Sequence, residues 1–186
     1  MIRGESVSLR PLAPRDRDRF FAMLRDPLQL AFGSPAFVEP PRVPSDVLAR
    51  IEESAARVEA REPATLAVVD RDDVFLGDVS WRLDAAPALA VADVGYAVHP
   101  DARGRGVATA AVRLLVPWLL EDPSGPGLAR VQLDHSVENL ASCRVALAAG
   151  LAQEGVRRGF LPLRDAAGDV RRHDVCLHGV VAPAAQ

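Results

Sequence analysis

Apolar positions alternate with polar ones at period two in some stretches of this chain and recur every three to four residues in others. The two rhythms divide it into strands and helices. Ser6-Val7-Ser8-Leu9-Arg10 alternates and is closed by Pro11, which predicts a short strand. Asp16 to Arg25 reads as a helix, and Pro27 to Pro44, rich in Pro, Phe and Ala without a period, as a loop. Ser45-Asp46 offers an N-cap to a helix carrying Val47, Leu48, Ile51 and Ala55 that ends near Arg61-Glu62-Pro63. Thr65 to Asp70 and Val74 to Leu83 are β-rich runs joined by the hairpin signal Arg71-Asp72-Asp73. Val91 to His99 is a third run, stopped by Pro100, so an antiparallel sheet is expected here.

The second half changes rhythm. Val107 to Leu120 has helical length and apolar content, Arg130 to His135 alternates as a strand, and Asn139 to Ala149 predicts a helix closed by Gly150 as a C-cap. Two further strands are expected near Val156 to Leu163 and His173 to Val181, separated by a turn from Asp165 to Asp169. No repeat or long linker divides the chain. The expectation is one α/β domain over residues 1–182 with a mixed sheet, and a frayed tail over 183–186.

Composition narrows the function. With 186 residues and 49% hydrophobic content the chain can bury a full core. A net charge of −3 gives no global pull toward nucleic acid or anionic membrane, so any anion must be held locally. No apolar run reaches the roughly 20 residues of a membrane helix, since Val107 to Leu120 is interrupted by Arg113 and Pro117. Met1 to Glu5 carries no secretory h-region, and a cytoplasmic location is expected. All 22 basic residues are arginine. The absence of lysine excludes Schiff-base chemistry, a P-loop phosphate grip and a kinase ion pair. Cys143 and Cys176 are too few for a disulfide framework and too sparse for a spaced zinc motif, and they read as packed thiols with no metal expected.

One turn carries a chemical signal. A strand ending at Val98 leads into Arg103-Gly104-Arg105-Gly106, and a helix begins near Val107. Unpaired N–H groups at a helix N-terminus bind phosphate, and glycines let the ligand approach the backbone. A dinucleotide fingerprint fits poorly, because Thr109 stands where its third small residue belongs.

The stretch Gly95-Tyr96-Ala97-Val98-His99-Pro100-Asp101-Ala102-Arg103-Gly104-Arg105-Gly106-Val107-Ala108-Thr109 resembles the pyrophosphate-binding motif of the GNAT acyltransferases, with Arg103, Gly106 and Ala108 at the motif positions. Further on, Asn139-Leu140-Ala141-Ser142, then Gly150-Leu151, then Glu154-Gly155-Val156-Arg157, and later His173-Asp174-Val175, are similar to the series in the ribosomal-protein alanine N-acetyltransferase branch. Leu151 replaces the usual Phe, and Ala110 stands where many members carry Glu.

The resemblance implies a mixed, mostly antiparallel sheet of about seven strands with a central V-shaped splay, flanked by about four helices. It implies acetyl-CoA as co-substrate, without a metal, held by Ala97, Val98, Arg103, Gly104, Arg105, Gly106, Val107, Ala108, Thr109, Asn139, Ser142 and Arg144. The splay is expected between the strand ending at Val98 and the one starting at Arg130. The tyrosine that many GNAT enzymes place seven residues after the Asn is absent, since position 146 is Ala, and the only tyrosine, Tyr96, lies elsewhere. Ser142 is the candidate acid, or a helix N-terminal hydroxyl. Asn139 caps that helix or holds the pantetheine arm.

For the base, Asp93 acts through a water, or His135 serves, its alternation with Val131 and Leu133 placing all three on one face. Phe32, Phe37 and Trp81 line the acceptor pocket or belong to the core. The implied reaction moves an acetyl group to a primary amine, on a protein N-terminus or a small molecule, in a monomer or homodimer. The alternative is a non-catalytic module that keeps CoA as a sensor or scaffold.

Overall fold

The computed structural model describes residues 1–84, 86–165 and 168–183. Part of the expected 165–169 turn and the tail residues 184–186 therefore lie outside the described residues. Among the described residues, eight strands form one sheet: β1 (Ile2–Arg3), β2 (Ser8–Pro11), β3 (Thr65–Val69), β4 (Phe75–Leu83), β5 (Val91–Val98), β6 (Arg130–Ser136), β7 (Ala152–Arg164) and β8 (Val170–Val181), in spatial order β1-β2-β3-β4-β5-β6-β8-β7. They are accompanied by the α-helices α1 (Arg17–Leu24), α2 (Leu48–Glu59), α3 (Val107–Leu120) and α4 (Leu140–Ala148). Every strand pair is antiparallel except β5–β6, which α3 connects as a crossover.

The sheet exceeds the expected seven strands by β1, whose two residues are too short to show a period. β7 begins at Ala152 instead of Val156, because Ala-Gln-Glu-Gly is polar and belongs to an exposed edge. The Pro27 to Pro44 loop carries a π-helical turn at Gln29–Gly33 and a bridge from Pro35 to Leu163.

Alternation sorts the side chains into two cores. Leu66 and Val68 of β3, with Val79 and Trp81 of β4, face α3, where Ala111, Val112, Leu115 and Leu119 pack against them and against Val131 and Leu133 of β6. Ala67, Val69 and Ala97 face the other way, onto Phe20, Met23, Val47 and Ile51 beneath α1 and α2. Burial on both faces explains the unbroken apolar run of β3, and each large side chain so buried contributes about 1.5–3 kcal/mol. Pro117 does not break α3. Its ring costs one helical hydrogen bond, and the Arg113 guanidinium reaches out to the Ala148 carbonyl at the end of α4.

Arg10 points from β2 into the second core, where its guanidinium grips both oxygens of Asp16 at 2.7 and 2.8 Å and Asp73 at 2.6 Å. Asp16 also accepts the Ala13 N–H, so this buried pair fixes the entry of α1 to the β3–β4 turn. Removing one partner strands the other charge. Asp16→Ala should lower the unfolding free energy by about 3–5 kcal/mol, seen as a shifted urea midpoint at unchanged slope.

Candidate active site

β5 and β6 pair only at Val91–Arg130, Ala92–Val131 and Asp93–Gln132. Beyond these residues the two strands run on without pairing, to Val98 and Ser136, and a gap opens where the splay was expected. At its base Gln132 donates to Asp93 at 2.9 Å. Val91 O and His99 N–H both bond on the β4 side, to Asp84 and Leu76. By the alternation of backbone groups along a strand, the N–H groups of Tyr96 and Val98 face the opened gap.

The turn after β5 sits at the mouth of that gap. Gly104 and Gly106 have φ of +72° and +75°, conformations that cost a residue with a Cβ about 1–2 kcal/mol. A Cβ on either would meet no protein atom within 4 Å, so the approach to the backbone is open. The first helical hydrogen bond is Ala110 N–H to Gly106 O, which leaves the N–H groups of Gly104, Arg105, Gly106, Val107, Ala108 and Thr109 ahead of it. With the dipole of a 14-residue helix behind them, they form an anion cradle. The two arginines differ. Arg105 is exposed, whereas Arg103 is ion-paired to Asp26, whose carboxyl it holds below the usual range.

Asn139 caps α4, its Oδ1 accepting the Ser142 N–H at 3.2 Å. Ser142 is buried, and its Oγ lies 2.8 Å from the hydroxyl of Tyr96. Tyr96, which the sequence placed apart from the site, is thus brought to Ser142 from the facing strand. Burial raises the phenol pKa, with the Ser142 bond opposing, so Tyr96 stays protonated at neutral pH. A residue 46 positions away on another element leaves no spacing signal. Arg144 lies exposed on α4.

His135 lies on the face of Val131 and Leu133, as alternation predicts, with Nδ1 facing Ser136 O at 2.8 Å and Nε2 standing 3.1 Å from His178 Nε2. Burial is the chief cause that lowers its pKa, which keeps it neutral. Asp93 projects from the opposite face, at a pocket of about 310 Å³ lined by Arg50, Ser54, Ser80, Trp81 and Arg82 among others. Trp81 is 5% exposed and packs edge-to-face on Trp118, so it offers that pocket only an edge. Phe32 is half-buried in the π-helical turn, and Phe37 is exposed.

The arrangement defines a class. Residues 6–152 match the family described as Acetyltransferase (GNAT) domain, and the chain belongs to that family. A Bacillus subtilis (strain 168) protein named "Probable N-acetyltransferase YjcK" is 33% identical over 110 residues, 59% of each protein, so the chain spans about three fifths of that relative's length. Among solved structures, the ribosomal-protein-S5-alanine acetyltransferase of Vibrio fischeri superimposes with a TM-score of 0.76 at 19% identity, covering 99% of this chain and 97% of the other. RimJ of Mycobacterium smegmatis, in complex with CoA-disulfide, gives 0.76 at 20% identity, over 95% of this chain and 82% of its own. At these identities the structures establish the fold.

A second carboxyl on the pocket face, Asp78 of β4, escaped the sequence reading. It stands opposite Ala97 in register and is closely surrounded, though part of its surface remains open. Burial pushes its pKa to about 7, with Arg50 and the Ala97 N–H opposing. A raised acid pKa means that the folded state holds the proton longer, so this residue's contribution to stability falls as pH rises from about 4 to about 7. Asp78→Asn lacks that loss. The stability difference between variant and wild type should therefore move in the variant's favour across this window, measured by urea unfolding at each pH.

Proposed function

We propose that this protein, acting as a single domain over residues 1–182, transfers an acetyl group from acetyl-CoA to a primary amine by direct attack in a ternary complex. The observation that carries the proposal is the opened β5–β6 gap, with the N–H cradle at its mouth and the Tyr96–Ser142 hydroxyl pair on one wall. The acceptor is a protein N-terminus or a small-molecule amine. The Vibrio fischeri structure named for a ribosomal-protein alanine supports the first choice, and the RimJ complex supports CoA as the group held in the gap.

The cradle from Gly104 to Thr109 suits a pyrophosphate, gripped mainly by backbone N–H groups because Arg103 is committed to Asp26. The N–H groups of Tyr96 and Val98 would polarise a thioester carbonyl laid along β5. A C–N bond forms as the C–S bond breaks, and two protons must move. The one lost by the amine leaves toward the face of Asp93 and Asp78, where Asp78 titrates near neutrality. The one needed by the thiolate comes from the opposite face, where either hydroxyl of the Tyr96–Ser142 pair can donate outward while accepting from the other.

Gly106→Val places a β-branched side chain at φ +75° inside the cradle and should weaken CoA binding at least tenfold in calorimetry; unchanged affinity would overturn the cradle assignment. Ser142→Ala should lower kcat about a hundredfold while CoA affinity stays within about twofold. Equal turnover, read by thiol release, removes the proton-donor role. Tight CoA binding with no thiol release by the wild type across a broad amine panel would instead favour a sensor or scaffold.

A further inference from the structure

His135 and His178 meet in a way that neutral imidazoles do not favour. His135 Nδ1 faces the Ser136 carbonyl at 2.8 Å and His178 Nδ1 faces the Leu151 carbonyl at 3.3 Å. A carbonyl oxygen accepts only, so both rings carry their proton on Nδ1. Both Nε2 atoms are then bare, and they stand 3.1 Å apart, with ring planes inclined by 26° and centroids 5.1 Å apart. Two lone pairs at that distance call for an electrophile between them. Cys143, on the first turns of α4, completes the surroundings: its Sγ and one ring nitrogen of each histidine all lie within 4.8 Å of one another.

We propose that His135, His178 and Cys143 form a binding site for a zinc-like, borderline-soft divalent cation, spanning β6, β8 and α4. Zinc bonded to two imidazoles at about 2.0 Å in a tetrahedron sets the nitrogens about 3.3 Å apart, close to the 3.1 Å found here. The thiolate needs an S···N separation of about 3.6 Å by the same bond lengths, within reach of a side-chain rotation of Cys143. The backbone carbonyls of Ser136 and Leu151 already hold the distal ring N–H groups, as the outer shell of a zinc–imidazole site does. Both histidines are buried while Cys143 is only half-buried, so the α4 side is the path of entry. Three protein ligands leave a fourth position for an exogenous donor. The histidines are 43 residues apart, so no spacing motif announces the site, which would give Cys143, read from the sequence as a packed thiol, a ligand role.

The site does not depend on acetyl transfer, and its test uses no substrate. Titration of the full, reduced chain with Co²⁺ should give one equivalent of tetrahedral cobalt, with a thiolate charge-transfer band that Zn²⁺ displaces. Cys143→Ser should abolish the band and weaken Zn²⁺ binding at least tenfold in calorimetry, and Cys176→Ser should leave both intact. His178→Gln should also lose the ion; should that variant fail to fold, the two cysteine variants decide. No band in the wild type, a band that survives Cys143→Ser, or one lost only in Cys176→Ser overturns the proposal.

Discussion

The parting of β5 from β6 is the constraint on which the rest of the site depends. Antiparallel partners hold β5 on one side through Val98 and β6 on the other through Ser136, so neither strand can follow the other when they diverge after Asp93 and Gln132. The gap exposes backbone groups that a closed sheet would have paired, and unpaired buried N–H groups are costly unless something supplies an acceptor. The crossover adds a second set, because α3 begins immediately after the turn and its first N–H groups have no carbonyl behind them. Both sets lie along one path, and an extended ligand with an anionic middle and a carbonyl at its end would satisfy both.

What could be read from the sequence follows from the range of the forces involved. The bounds of α3 were legible because its apolar face and the Gly106 start are local, and Pro117 sits near enough to the end for the helix to tolerate it. The cap of α4 was legible for the same reason, since Asn139 and Ser142 are three residues apart. The face on which His135 lies followed from period two; its partner could not, because His178 arrives from another strand. Tyr96 illustrates the same limit: position 146 showed that the tyrosine was not on α4, and only the close approach of β5 to α4 shows that the phenol reaches Ser142 from the other wall. Asp78 was hidden by ordinary composition, an acid within a strand, whose perturbation comes wholly from what packs around it.

Having arginine as its only permanently cationic side chain gives the electrostatics a particular character. A guanidinium holds a carboxylate in fixed geometry where an ammonium would hold it loosely, and several pairs here join elements far apart in sequence: Arg10 with Asp73, Arg103 with Asp26, Arg157 with Asp134, Arg130 with Glu154. The exposed ones contribute little each. Arg103–Asp26 matters by position, because it ties the turn after β5 to the loop after α1. Arg103, which the resemblance assigned to CoA, is engaged by Asp26 in this structure, and the unpaired N–H groups that follow it lie at the start of α3.

Strand alternation has a chemical consequence once the gap is open. Along β5, Val94, Tyr96 and Val98 turn toward α3 and α4, while Asp93 and Ala97 turn toward the pocket beneath α2. The hydroxyl pair therefore lies on one side of the sheet and the carboxyls Asp78 and Asp93 on the other, with the gap between them. Transfer of an acyl group from a thioester to an amine, as proposed above, needs a proton removed from the incoming nitrogen and one delivered to the departing sulfur, both bonded to the same tetrahedral carbon. A period of two residues, set by the β backbone, thus keeps the carboxyls and the hydroxyl pair on opposite faces of the sheet, where they cannot neutralise each other.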